Sequence, residues 1–377
     1  MYDTNVFEDT RPYVDEEIPA AMERIADSPY FPSIIGYLFP DADINECKAS
    51  VIGISSVKEF QAKIMTRFVD TIIRKTSSNF SFNGLEGLSD EKKCMFISNH
   101  RDISLDAALL QIALNRSSLD TAEITFGSNL MKEQLAVDFG KSNKMFKIVR
   151  GGNIYDFYNN SLKVSSYMRY AITEKGQSIW IAQRNGRTKD GDDKTEVAVL
   201  KMLSMSSDKK FVDNIGELNI TPMVISYEYE PCDFLKTLEL YVSRFQKYVK
   251  SENEDLNSII KGITQWKGEI NLVVTESLSP EELEECGKCE RNGKYQRLAK
   301  IIDDRMCSNY KLFKTNYIAY DLLHDITVFS HYYSQSEKND FREYMHDGLR
   351  SFPGEQEELQ SIFLGIYANP VKNVLKE

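Results

Sequence analysis

With 377 residues, 42% of them hydrophobic, the chain is long enough for two or three structural units, and its formal charge of −11 disfavours broad attraction to nucleic acid or anionic lipid. The opening run Met-Tyr-Asp-Thr-Asn-Val-Phe-Glu-Asp lacks the basic head and apolar core of a signal peptide, and no apolar run approaches the roughly 20 residues of a membrane-spanning helix. These features point to a cytoplasmic protein, with any membrane contact peripheral and on the inner face of the cell membrane, and its six scattered cysteines are expected to be reduced.

Residues 1–85 read as an N-terminal helical region. Its clearest element is 57–75, where Phe60, Ile64, Phe68 and Ile72 recur at every fourth position while Lys58, Lys63, Arg67 and Arg74 fall between them. Such a helix can lie on a membrane surface, or pack its apolar stripe onto the following domain and leave the basic face in water. Residues 86–280 alternate short apolar runs with helical segments. Strands are expected at 94–97, 123–126, 147–149, 178–182, 221–227 and 270–275, and helices at 105–114, 130–139, 161–174 and 196–205. That alternation predicts an α/β fold with a mixed sheet flanked by helices. Residues 281–377 return to helical periodicity, as at 295–306 and 340–349, and read as a C-terminal helical extension.

The chain has four histidines, and His100 ends the apolar run Met95-Phe96-Ile97 in a Ser-Asn-His-Arg context. Sites in α/β sheets form where strands end and loops lead into helices. A neutral imidazole there takes a proton from a hydroxyl if its other nitrogen donates to a carboxylate that fixes the tautomer. Asp106, on the first turn of the next helix, is the expected partner and Asp102 the alternative, with Ser104 or Asp102 available as the helix cap. No Gly-x-Ser-x-Gly elbow is present and no cysteine has an evident histidine partner, so a covalent nucleophile is unsupported. Direct attack by a substrate hydroxyl on an activated acyl group is the simpler chemistry.

Two basic islands stand out in an acidic chain: Lys141, Lys144, Lys147 and Arg150, then Arg184, Arg187 and Lys189. Either could hold a small anion, and solvated surface charge is the other reading. The polar stretch 186–194 suits a mobile loop closing over substrate, as it would any surface loop. Cys286-Gly-Lys-Cys289 has zinc-ligand spacing but no second pair at a plausible interval, so no metal site is expected.

Ser98-Asn99-His100 followed by Asp106 resembles the first motif of the glycerol-phosphate and lysophosphatidate acyltransferases, an Asn-His pair with an aspartate on the next helix. Further blocks fall in that family's order. Phe126-Gly-Ser-Asn-Leu-Met131 is similar to the segment after its second strand, and Phe146-Lys-Ile-Val-Arg150-Gly151-Gly152 to the strand whose arginine meets substrate phosphate. Asn185-Gly186-Arg187 resembles the Glu-Gly-x-Arg-Ser block, and 220–227 the late Pro-containing strand. The resemblance spans about residues 90–280. Five residues rather than four separate His100 from Asp106, and Asn185 stands where the family has Glu.

The resemblance implies transfer of a fatty acyl group from a thioester, acyl-CoA or acyl carrier protein, to a hydroxyl of glycerol 3-phosphate or 1-acyl-glycerol 3-phosphate in phospholipid biosynthesis. It implies His100 as general base with Asp106 orienting it, substrate contacts from Asn99, Arg150, Asn185, Gly186 and Arg187, and no metal or bound cofactor. Arginine at 150 and 187 fits paired, charge-assisted bonds to a phosphate. The alternatives are an acyltransferase of this fold using an aminolipid-type acceptor, or an inactive lipid- or acyl-carrier-binding protein, the latter prompted by Asn185 and the longer His-to-Asp spacing.

Overall fold

In the computed structural model of the chain, the described residues are 4–40, 42–131, 133–149 and 153–375. Among them, seven strands form one mixed sheet: β1 (Asn79–Asn83), β2 (Met95–Ser98), β3 (Glu123–Gly127), β4 (Met145–Ile148), β5 (Ile179–Ala182), β6 (Ile220–Tyr227) and β7 (Glu269–Val274), in the spatial order β1-β7-β6-β2-β5-β3-β4. The strands β6, β2, β5, β3 and β4 are mutually parallel, whereas β7 runs antiparallel to β6 and carries β1 beside it. All residues of β2 and β6 are buried, as central strands covered by helices on both faces must be.

Seven helices matter to the site: α1 (Thr66–Thr76), α2 (Leu105–Arg116), α3 (Ile154–Tyr170), α4 (Asp233–Ser243), α5 (Glu254–Thr264), α6 (Gly293–Asn309) and α7 (Gln356–Leu375). The alternation of side chains along β2 sorts them. Met95 and Ile97 join a core with Val164 and Met168 of α3 and Leu298 and Ile302 of α6. Phe96 points the other way, into a core with Trp180, Met223, Val69 and Ile72 of α1, and Leu109 and Ile112 of α2. Apolar burial on both faces, at about 25 cal/mol per Å², is what holds the layers together.

The stripe expected at 57–75 is internal. A π turn at Gln61–Met65 joins Val57–Phe60 to α1; Phe60 and Ile64 pack among the N-terminal helices, Ile72 packs against the sheet, and Lys58, Lys63, Arg67 and Arg74 face solvent. One element departs from the helical reading of 1–85, because residues 79–83 form β1, an edge strand whose Asn-Phe-Ser-Phe-Asn alternates with period two. In the C-terminal region Lys314–His324, Gln335–Leu349 and α7 enclose a cluster of their own around Phe341, Phe363 and Tyr367. No helix among the described residues is long and apolar enough to cross a membrane.

Candidate active site

The five parallel strands end on one edge of the sheet, and two chain segments leave that edge side by side. Gln183 N–H donates to Ser98 O and Thr188 N–H to His100 O, each at 2.7 Å, so the segment after β5 runs along the segment after β2. This pairing brings Arg187 next to His100, 87 positions apart in the chain.

His100 Nδ1 lies 3.0 Å from Asp106 Oδ2. The five intervening residues turn back on themselves, so the longer spacing still closes the pair. Asp106 is fully buried and its carboxylate is held on both oxygens: Oδ2 accepts from the backbone N–H of Arg101 (2.6 Å) and Asp102 (2.9 Å), and Oδ1 from the Tyr227 hydroxyl (2.8 Å). Burial raises the Tyr227 hydroxyl well above its ordinary range, so it serves as a neutral donor. Asp102 does a different job. Its Oδ1 caps α2 through the N–H groups of Ser104 (2.9 Å) and Leu105 (2.8 Å), while Oδ2 is buried without a hydrogen-bond partner. Burial pushes the Asp102 carboxyl up, the Asp106 charge adds to that, and the two capping N–H groups oppose it.

With Nδ1 engaged by Asp106, the other ring nitrogen has no hydrogen bond among the described residues, and the ring lines a cleft of about 580 Å³ including its open mouth. Thr125, Phe126, Asn129, Trp180 and Arg187 share the cleft. Trp180 meets the imidazole edge-on, with centroids 5.7 Å apart. Arg187 forms no ion pair among the described residues, and two buried donors, Arg187 Nη1 and Trp180 Nε1, have no hydrogen-bond partner. Unsatisfied buried donors are costly, and beside an open cleft they are suited to an incoming oxygen. On the far wall Asp255, at the start of α5, accepts from Asn129 Nδ2 (2.9 Å) and pairs with Lys250 (2.6 Å).

The remaining expected site residues are placed less uniformly. Gly186 lines the cleft in the left-handed region (φ 81°), which a side chain would strain. Asn185 is exposed and outside the cleft lining; its backbone N–H donates to Glu196. Asn99 is fully buried and committed elsewhere, its amide bonded to both the N–H and C=O of Ile225 (2.9 and 3.0 Å) and to Asp193 (2.9 Å). It extends the pairing of β2 with β6 in place of a backbone unit, so the expectation of a substrate contact there is corrected to a clasp. Arg150, Gly151 and Gly152 lie outside the described residues.

Among the described residues of the two basic islands, Lys144 bonds Asp120, Lys147 pairs with Asp9 and Lys189 pairs with Glu239, while Arg187 reaches the cleft. The stretch 186–194 is pinned rather than mobile. Arg101, nearly fully buried, donates to Asp193 (2.7 and 3.1 Å), Glu230 (3.2 Å) and Gly191 O (3.3 Å), and Asn369 of α7 donates to Asp190 O. Lys236 of α4 completes the buried charge network through Glu230 (2.5 Å) and Arg101 O (2.7 Å). The only sequence signal for this network was its acidic and basic residue types, and the partners of Arg101 lie about ninety or more residues away in the chain. Among the described residues no group of three or more His, Cys, Asp or Glu side chains is placed to hold a metal ion.

No family model matches the chain, and no curated protein matches it. Among solved structures the chain is similar to the 1-acyl-sn-glycerophosphate (LPA) acyltransferase PlsC from Thermotoga maritima, at 13% identity and a TM-score of 0.38, over 77% of this chain and 91% of that one.

Proposed function

We propose that the chain is an O-acyltransferase of the glycerolipid type, which moves a fatty acyl group from a CoA or acyl-carrier-protein thioester to a hydroxyl of glycerol 3-phosphate or its 1-acyl derivative. The observation that carries this reading is the His100–Asp106 pair, with its unengaged ring nitrogen on a cleft that the unpaired Arg187 shares. Supporting it, three of the blocks that resemble the glycerolipid acyltransferases, those at His100, at Phe126–Leu130 and at Trp180–Arg187, line the cleft.

The chemistry needs no covalent enzyme intermediate. His100 takes the proton from the acceptor hydroxyl as its oxygen bonds the thioester carbon; the imidazolium, stabilised by Asp106, then gives that proton to the sulfur as the C–S bond breaks. Arg187 holds the phosphate of the acceptor, and fixing that end places the hydroxyl at His100. Such orientation contributes roughly 7 kcal/mol or more in favourable cases, and general-base assistance about 10²–10⁴-fold. In this reading neither a metal nor a resident cofactor takes part.

The test is mass-spectrometric product analysis with a labelled acyl thioester and both phosphate acceptors offered together with an aminolipid-type acceptor. A phosphatidate or lysophosphatidate product is expected. Acylation of an aminolipid-type acceptor alone would transfer the reading to that alternative, and lysolipid binding without any product would make the chain a binding protein.

A further inference from the structure

Strand β5 contributes two side chains to the wall of the His100 cleft. Its alternation sends Ile179 and Ile181 into one core and Trp180 and Ala182 to the other face, where both line the cleft. Trp180 is in register with Phe96 of β2 and Ile124 of β3, and its ring lies in the core that holds Phe96, Ile124 and Leu109, with 3% of its surface exposed. Ala182 stands one step nearer the strand end on that face, and its methyl group leaves the indole as part of the cleft wall. There the indole meets the His100 imidazole edge-on, at an interplanar angle of 72°. Packing fixes the ring, and the reacting end of the cleft lies against it.

Of the buried side-chain donors without a partner among the described residues, Arg187 Nη1 and Trp180 Nε1 are the two in the cleft lining. Asn129 and Lys250 are both spent on Asp255, and the Thr125 hydroxyl is exposed enough to bond water. A buried tryptophan ordinarily finds a partner for its N–H, and one left without costs stability. Acyl transfer would bring two groups in need of donors into this cleft, the acceptor phosphate and the thioester carbonyl oxygen. Their chemistry divides the two unpartnered donors. A phosphate carries full charge from the start and suits the charged, forked guanidinium of Arg187. The carbonyl oxygen is neutral until the hydroxyl adds, and it sits on the very carbon attacked at His100. A fixed, neutral N–H beside the imidazole suits that oxygen, because it is oriented before the charge appears.

We infer that Trp180 Nε1 is the oxyanion donor of the transfer, hydrogen-bonding the carbonyl oxygen of the acyl thioester. This role rests on the acyltransferase reading and adds to it the residue that holds the donor's reacting group. As the acceptor oxygen bonds the carbonyl carbon, the hydroxyl proton passes to the unengaged nitrogen of His100, and the π pair of the carbonyl moves onto its oxygen, where the indole N–H meets it. That pair then re-forms the C=O bond as the C–S bond breaks. The sulfur leaves with the bonding pair and takes the proton from His100, giving ester and free thiol. The indole keeps its own proton throughout.

The experiment replaces Trp180 with its benzothienyl analogue, which has nearly the shape of indole with sulfur in place of the N–H, and makes Trp180→Phe beside it. Steady-state transfer from a labelled acyl thioester to glycerol 3-phosphate or its 1-acyl derivative is measured across pH, together with melting temperature. Both variants should lose about 10²–10³-fold in kcat. The benzothienyl protein should keep the wild-type melting temperature, acceptor KM and pH profile, whereas Trp180→Phe should also melt earlier, because the smaller ring leaves space in the core. A benzothienyl protein that turns over near the wild-type rate overturns the inference and leaves the acyltransferase reading standing. So does a displaced pH profile at an undiminished plateau, which would make Trp180 a positioning residue for His100, and so does a raised acceptor KM alone, which would give the N–H to the phosphate. Wild type that forms no ester from either thioester overturns the acyltransferase reading, and this role falls with it.

Discussion

Asp106 takes hydrogen bonds from two backbone N–H groups and Tyr227, and pairs with His100, so the imidazole is held by an anchor that cannot itself turn. Replacing His100 with Ala removes the base and leaves the other three bonds of the carboxylate in place. Turnover should fall by about 10²–10⁴-fold, with a modest fall in melting temperature, since the side chain is only 13% exposed and packs edge-on against Trp180. Turnover near the wild-type level in purified protein would end the general-base reading. Tyr227→Phe is the graded counterpart. It leaves Oδ1 of a buried carboxylate without its donor, at a cost of about 1–3 kcal/mol, so thermal unfolding should shift down while activity falls only in part. Full activity at an unchanged melting temperature would show that the hydroxyl contributes nothing to the anchor. The His100–Asp106 pair was legible because the two residues are six positions apart, at either end of one short loop between β2 and α2. The role of Asn99 was not, because an amide that mimics backbone is recognised only beside Ile225 and Asp193, about a hundred residues on.

At the scale of elements, the loop that carries His100 is clamped between α2 and α5. Asp102 caps α2 with one oxygen and presents the other to Gly262, where an added Cβ would lie 2.0 Å from Oδ2. Asp102 cannot swing away without releasing the cap, so Gly262→Ala should push α5 outward and disturb both the loop and the cleft wall at Asp255. A loss of about 1–3 kcal/mol is expected, with reduced turnover. A double-mutant cycle isolates the contact: in an Asp102→Ala background the same Gly262→Ala change should cost much less, and equal costs in both backgrounds would place the strain elsewhere. The central strands were readable to within about two residues because continuous apolar runs such as Met95-Phe96-Ile97 mark buried parallel strands. The loop at 186–194 misled for the opposite reason. Its polarity serves internal partners, with Asp193 on buried Arg101 and Gly191 so close to α7 that a Cβ would meet Ile366 O at 2.1 Å.

Across the whole molecule, the helices after β7 brace the site rather than merely extend the chain. Tyr344 and Tyr367 both donate to Asp233, which is fully buried at the start of α4, and Tyr367 also accepts from Glu230 N–H in the network around Arg101. Helix α6 reaches the same region through Asp303, whose Oδ1 accepts from the backbone N–H (2.9 Å) and hydroxyl (2.5 Å) of Thr195. Burial pushes the Asp303 carboxyl up to about 6; the Thr195 bonds oppose that shift, and the charges of Asp193 and Asp304 add to it. The sign follows from linkage. Between the unfolded value of 3.8 and about 6 the folded chain binds this proton more tightly, so the group stabilises the fold progressively as pH falls through that window, and the advantage is lost above it. The full swing is on the order of 3 kcal/mol. Paired acids such as Asp9 and Asp120, held below their usual range, act in the opposite direction, so the wild-type pH curve alone does not isolate Asp303. Asp303→Asn does, because the amide oxygen still accepts from Thr195 while the titration is gone. Its melting temperature relative to wild type should rise as pH increases from about 4 to about 6.5 and then level off. A difference that stays constant across that range would mean the carboxyl titrates as it does in the unfolded chain, and that the junction of α6 with the 186–194 segment carries no electrostatic strain.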